Sequence, residues 1–190
     1  MVLPELAVTG YTCSDLFWQE QLIWESERQL SRLLDETRGV DALIFVGMPM
    51  EIFGKLYNVA AVMNRGKLLG IVPKKYLPSY HEFYEGRHFT PGEEQTVWIE
   101  REGERIPFGM NLRFACRELP RLIVAAEICE DLWVPNPPSV SHALAGATVL
   151  VNLSASDEMT GKDTYRRELV RSQSARLVAG YIYADAGEGE

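Results

Sequence analysis

The chain has 190 residues, 46% of them hydrophobic, a length and composition that fit one domain with a substantial core. A net charge of -8 and a pI near 5.0 argue against nucleic-acid or anionic-membrane partners, and no run approaches the roughly 18 apolar residues of a membrane span. Cys13, Cys116 and Cys129 form no CxxC pair, and His81, His88 and His142 show no HxxxH spacing, so neither a disulfide framework nor a metal site is expected. With no signal peptide at the N-terminus, a cytoplasmic protein is expected.

In chain order, Met1 to Val8 reads as the end of a buried strand whose beginning is missing. Thr9-Gly10-Tyr11 is a turn, and Ser14 with Asp15 is expected to cap an amphipathic helix, or two, running to Arg38 and stopped by Gly39. Ala42 to Val46 is a short buried strand. Leu56 to Met63 and Lys67 to Val72 flank the hairpin signal Asn64-Arg65-Gly66. An irregular aromatic loop follows, Lys74 to Gly92, then a second hairpin of Thr96 to Glu100 and Arg105 to Phe108 around Gly103. Leu122 to Ile128 is nearly uniformly apolar, as in a strand covered on both faces. A Pro-rich stretch precedes a short helix to Ala145. Thr148 to Leu153 is another buried strand, Asp163 to Val178 a helix and Tyr181 to Ala184 a last strand. Alternating strands and helices interrupted by two hairpins predict an α/β layered sandwich with a mixed sheet. Both ends read as cut, the last at the Gly-rich tail 186–190.

Cys129 leaves the sheet at the end of a buried strand, where open α/β sheets carry reactive groups. A lone buried cysteine behaves as a small hydrophobe, so a nucleophilic reading needs partners that stabilise thiolate. Glu5, costly to bury at the end of an apolar segment, Lys74, just after an apolar strand, and Glu82 are the candidates. Each is weak alone.

Together they lie within three segments that occur in order: residues 4–11 (PELAVTGY), 73–85 (PKKYLPSYHEFYE) and 127–133 (EICEDLW). These segments resemble the three motifs of the carbon-nitrogen hydrolase (nitrilase) superfamily, each carrying one member of a Glu–Lys–Cys triad. The wording is most similar to the glutaminase domain of the glutamine-dependent NAD synthetase subgroup; Asn152 to Ser156, Tyr165-Arg166-Arg167 and residues 180–187 extend the likeness along the chain. The resemblance implies a nitrilase-like α-β-β-α sandwich over residues 1–190, incomplete at both ends. It implies Cys129 as nucleophile, Glu5 as general base, Lys74 as oxyanion stabiliser and Glu82 as a second glutamate near them. Tyr80, Glu130 and Ser154, or Ser156 in place of Ser154, fall where the subgroup contacts glutamine; Arg166 or Arg167 would order the same loop.

The implied reaction is hydrolysis of the glutamine side-chain amide through a Cys129 thioester, supplying ammonia to a synthetase domain that would hold ATP and magnesium. That domain has no counterpart here, and no cofactor is expected in this one. The subgroup also implies a homo-oligomer. A superfamily amidase or nitrilase acting on another small amide or nitrile, and a non-catalytic interaction module, stay open as alternatives. His81 has no second signature of a Cys–His pair, Cys13 and Cys116 read as structural, and Gly187 with Gly189 gives only G-x-G.

Overall fold

The computed structural model describes residues 1–187; the last three residues, including Gly189 of the G-x-G, lie outside the described residues. Two sheets stack face to face. The first contains β1 (Ile44–Ile52), β2 (Lys55–Asn64), β3 (Lys67–Pro73), β4 (Val97–Arg101) and β5 (Glu104–Phe108), in the order β1-β2-β3-β5-β4. The second contains β6 (Arg113–Ala115), β7 (Ile123–Ile128), β8 (Val149–Leu153) and β9 (Gly180–Ala184), with β7, β8 and β9 parallel. Helix α1 (Glu20–Glu36) covers the first sheet, while α2 (Pro138–Leu144) and α3 (Lys162–Leu177) accompany the second.

Strand periodicity explains the layering. Phe45, Ala60, Val62 and Val72 face inward and meet Val124, Ala126, Ile128, Val151 and Leu153 across the sandwich. Their neighbours Ile44, Val46, Val59, Ala61 and Met63 face outward, against Leu30, Leu33 and Leu34 of α1. Leu30 is fully buried, and covering such a side chain contributes about 2 kcal/mol. On the other side, Ala125 and Leu150 pack with Ala147, Leu177 and Ala179. Among the described residues no helix is long and apolar enough to cross a membrane.

The expected Asn64-Arg65-Gly66 hairpin is present, with Arg65 (φ 49°) and Gly66 (φ 74°) both left-handed as a two-residue turn demands. Three expectations need correction. Met1 to Val8 is no strand: only Val2 bridges Phe45, and the chain then turns at Leu6 (φ 51°). Ser14 does not cap the long helix; it sits at φ 51° in a kinked 3-10 segment, Tyr11–Trp18, and α1 begins at Glu20. The strand expected to end at Val46 runs on to Ile52, tolerating Pro49 because β1 is an edge strand, and turns into β2 at Phe53-Gly54.

Candidate active site

Three chain segments converge at one end of the sandwich. Lys74 directly follows β3, Cys129 follows β7, and Ser154 follows β8. Glu5 joins them from the N-terminal turn, with its backbone N–H donating to the Ser154 carbonyl (3.3 Å). The turn lies flat on β1 because position 47 is glycine: a Cβ there would stand 2.2 Å from the Pro4 carbonyl oxygen and 2.5 Å from the Leu6 nitrogen. Only a bare backbone admits this approach.

Glu5 and Lys74 are both completely buried and make an ion pair of 2.6 Å. Lys74 Nζ makes a second, of 2.5 Å, with Glu85. Asn58 Nδ2 donates to Glu5 Oε1 (2.7 Å) and to Glu85 Oε2 (3.4 Å); the Ala155 N–H donates to Glu5 Oε2 (3.1 Å) and the Tyr11 hydroxyl to Glu85 Oε1 (2.7 Å). A buried ion pair persists only when its remaining hydrogen-bonding capacity is met in this way. Burial would depress the ammonium, but the charges of Glu5 and Glu85 outweigh it and raise its pKa well above the ordinary lysine range. For Glu5 burial wins: it lifts the carboxyl to about 7 against the pull of Lys74, with Glu85 adding to the rise.

Cys129 is a non-glycine residue in left-handed backbone (φ 43°), a conformation that costs on the order of 1–3 kcal/mol. Asn152 holds it there, accepting from the Cys129 N–H (3.0 Å) and donating to its carbonyl (3.4 Å). The Ser154 hydroxyl donates to Sγ (3.3 Å) and shares a hydrogen bond of 2.6 Å with the Tyr183 hydroxyl. Burial first, then the Glu5 charge, push the thiol pKa up, while Lys74 and Ser154 pull it back. The net direction is upward, so the resting sulfur carries its proton and needs a base to lose it. A carboxyl near 7 within electrostatic reach is matched to that task.

The cluster adjoins a cleft of about 900 Å³ lined by Leu6, Tyr11, Phe83, Glu85, Ala155 and Ser156, among others. Glu5, Lys74 and Cys129 are thus brought together. Glu82 is not among them, and this is a correction: the glutamate on Lys74 is Glu85. Side chains alternate along this stretch, so Phe83 and Glu85 turn inward while Glu82 and Tyr84 face out. Glu82 lines the cleft instead, within hydrogen-bonding reach of Asp157. Ser154 is fully buried against the sulfur and does not line the cleft, whereas Ser156 does. Tyr80 donates to Glu130 (2.8 Å) on an exposed flank. Arg166, not Arg167, orders the neighbouring loop, reaching Glu158 (2.6 Å), Asp185 (3.0 Å) and the Asp157 carbonyl (3.0 Å). His81 is exposed.

Sequence reading missed Glu85, Asn58 and Asn152. Glu85 was one of two glutamates in an aromatic loop, and the signal that separates them, which of the pair follows a buried Phe83 by two residues, needs the loop's inner face to be known. Polar Asn58 and Asn152 interrupting buried strands were the readable clue, since each must find partners inside.

A family model described as carbon-nitrogen hydrolase matches residues 1–185. The glutamine-dependent NAD(+) synthetase of Mycobacterium tuberculosis is 46% identical over 189 residues, covering 100% of this chain and 28% of the relative. The crystal structure of a glutamine-dependent NAD(+) synthetase from Cytophaga hutchinsonii superposes with a TM-score of 0.83 at 29% identity, over 97% of this chain and 29% of that one. An amidase of the nitrilase superfamily from Nesterenkonia, at 17% identity and a TM-score of 0.70 over 97% of this chain and 62% of that one, shares the fold. The chain therefore spans less than a third of the length of its synthetase relatives.

Proposed function

The chain belongs to the carbon-nitrogen hydrolase family, and from that premise we propose that it cleaves the side-chain amide of glutamine, releasing ammonia for the ATP-dependent synthesis of NAD. Residues 1–190 then form part of a glutaminase domain, and its partner is the synthetase domain of a longer enzyme. The likeness to synthetases that are glutamine-dependent by name supports the substrate. The single observation that carries the chemistry is the buried Lys74 ammonium paired with Glu5 beside a cysteine in strained backbone.

A primary amide is a poor electrophile, so the reaction divides into two easier displacements. Glu5 takes the thiol proton as Sγ of Cys129 attacks the amide carbon. The new C–S bond pushes electrons onto the carbonyl oxygen, where Lys74 and the backbone N–H of Glu130 stabilise them; one such donor lowers the barrier by about 3–4 kcal/mol. The C–N bond breaks as Glu5 returns the proton to nitrogen, and ammonia leaves. Glu5, bare again, takes a proton from water as the hydroxide attacks the thioester; C–S cleavage then releases glutamate, and Glu5 hands its proton to the departing sulfur, restoring the thiol. Glu85 shares the ammonium and keeps Lys74 charged. Ser156 on the cleft, with Glu130 and Tyr80, contacts the amino-acid end of the substrate. Ser154 steadies the sulfur. A cytoplasmic setting and self-association accompany this reading.

A glutamine-like diazo-ketone amino acid should label Cys129 alone, read by peptide mass spectrometry, with Cys129→Ala abolishing both labelling and ammonia release by about 10⁴-fold or more. Labelling at Cys13 or Cys116 instead would sink the assignment. Faster release from asparagine or simple amides than from glutamine would move the substrate to the wider amidase class.

A further inference from the structure

Lys74 and Cys129 arrive from different sheets, and no hydrogen-bonded ladder joins β3 to β7. The apolar inner faces set how far apart the sheets lie, but such contacts are non-directional and fix lateral register poorly. Besides the Lys74–Glu5 pair and the bonds from Glu5 to Ser154 and Ala155, a directional link made to backbone at both strand ends is Asp131, a residue outside the reacting set. Its side chain is 2% exposed. One oxygen, Oδ2, accepts from the Ile128 N–H (2.9 Å), immediately before Cys129. The other, Oδ1, accepts from the N–H groups of Lys75 (3.2 Å) and Tyr76 (2.8 Å), immediately after Lys74.

We infer that Asp131 is a positioning residue whose carboxylate clasps the two strand ends together, holding the Lys74 ammonium in register with the Cys129 sulfur. The inference rests on the reading of Cys129 as nucleophile with Lys74 as its charged partner. A purely local role in capping the 3-10 turn Cys129–Leu132 explains the bond to Ile128 but not those to Lys75 and Tyr76, more than fifty positions away in sequence. The residue type fits the task. All three neighbours are donors, so the group must accept at both oxygens, and a carboxamide would turn its own N–H toward one of them. A short side chain suits a clasp between two backbones, because one more methylene would press them apart.

Alkylation of Cys129 by iodoacetamide, followed by peptide mass spectrometry, tests the inference in a cycle of Asp131→Asn, Lys74→Met and the double variant. Asp131→Asn should slow alkylation by about tenfold and move its pH midpoint upward, because the ammonium no longer faces the sulfur. In the Lys74→Met background the same change should cost no more than about twofold, since there is no ammonium left to position. Full additivity overturns the inference. If Lys74→Met alone leaves alkylation unchanged, it is the proposed catalytic reading that fails. Asp131→Glu, which keeps the charge and both acceptors, should recover part of the rate, and it replaces Asp131→Asn in the cycle if that variant does not fold. Amide exchange of the unaltered protein needs no variant: Lys75, Tyr76 and Ile128 should open together with one protection factor. Exchange of Lys75 and Tyr76 at loop rates while Ile128 stays protected overturns the clasp.

Discussion

The buried carboxylate networks around Glu5 and around Glu127 behave differently. Around Glu5 a lysine ammonium is shared with Glu85, and the cluster borders the cleft through Glu85. Around Glu127 there is no ammonium: the carboxylate accepts from the Ser139 N–H (2.7 Å) and the Tyr181 hydroxyl, with Gln173 donating to the Ser139 hydroxyl (2.9 Å). Burial raises the pKa of both carboxyls, opposed by Lys74 in the first case and by neutral hydrogen bonds in the second. Desolvation alone therefore does not set the Glu5 cluster apart. What separates the two is a compensating charge that can be redistributed when a proton moves, next to space for a substrate.

The largest expected effect that tests this contrast comes from Lys74→Met. It leaves Glu5 and Glu85 facing each other in the interior, and breaking a buried pair costs about 3–5 kcal/mol, read as a fall in the thermal or denaturant midpoint at neutral pH. The sign with pH is fixed. Without the ammonium the folded Glu5 carboxyl holds its proton at a pH where an unfolded one, near 4.5, has lost it, so the deficit must shrink as pH falls. A deficit independent of pH would mean the pair is not the source. Glu127→Gln should cost less, about 1–3 kcal/mol for a donor turned on a donor, while changing Cys129 alkylation by less than about threefold. A collapse of alkylation there would erase the distinction between the networks.

The third test uses the titration itself. With Glu5 raised to about 7, amide cleavage under subsaturating substrate should fall about tenfold per pH unit below that value, as the base becomes protonated. A flat profile from 7 to 5 would remove Glu5 as base. The smallest effect is expected from Glu82→Gln, which should change stability by no more than about 0.5 kcal/mol because the side chain is exposed. Glu85→Gln, measured beside it, should cost several times more.

Much of the layered architecture was legible because strands covered on both faces read as near-continuous apolar runs, as β2, β7 and β8 do, while a strand half open to solvent alternates, as β4 does. Strand β1 was only half legible: Pro49 reads as a strand breaker until its edge position is known. Of the site, Cys129, Lys74 and Glu5 could be picked out because each stands where an apolar run ends and motif order supports it. Glu85 could not be separated from Glu82, since the choice depends on Tyr11 and Lys74 meeting it from distant parts of the chain. Asp131 looked like an ordinary residue after a cysteine, because its partners Lys75 and Tyr76 contribute only backbone, which every residue type possesses.

The glycine beneath the N-terminal turn has a consequence for anyone altering this protein. Position 47 carries no side chain, yet it sets the height at which the Glu5 carboxylate rides above the first sheet. Even a single methyl group there would lift the Glu5 carboxylate away from sulfur and ammonium alike, so tolerance to change in this cluster is governed from underneath, by a residue that a survey of reactive groups would pass over.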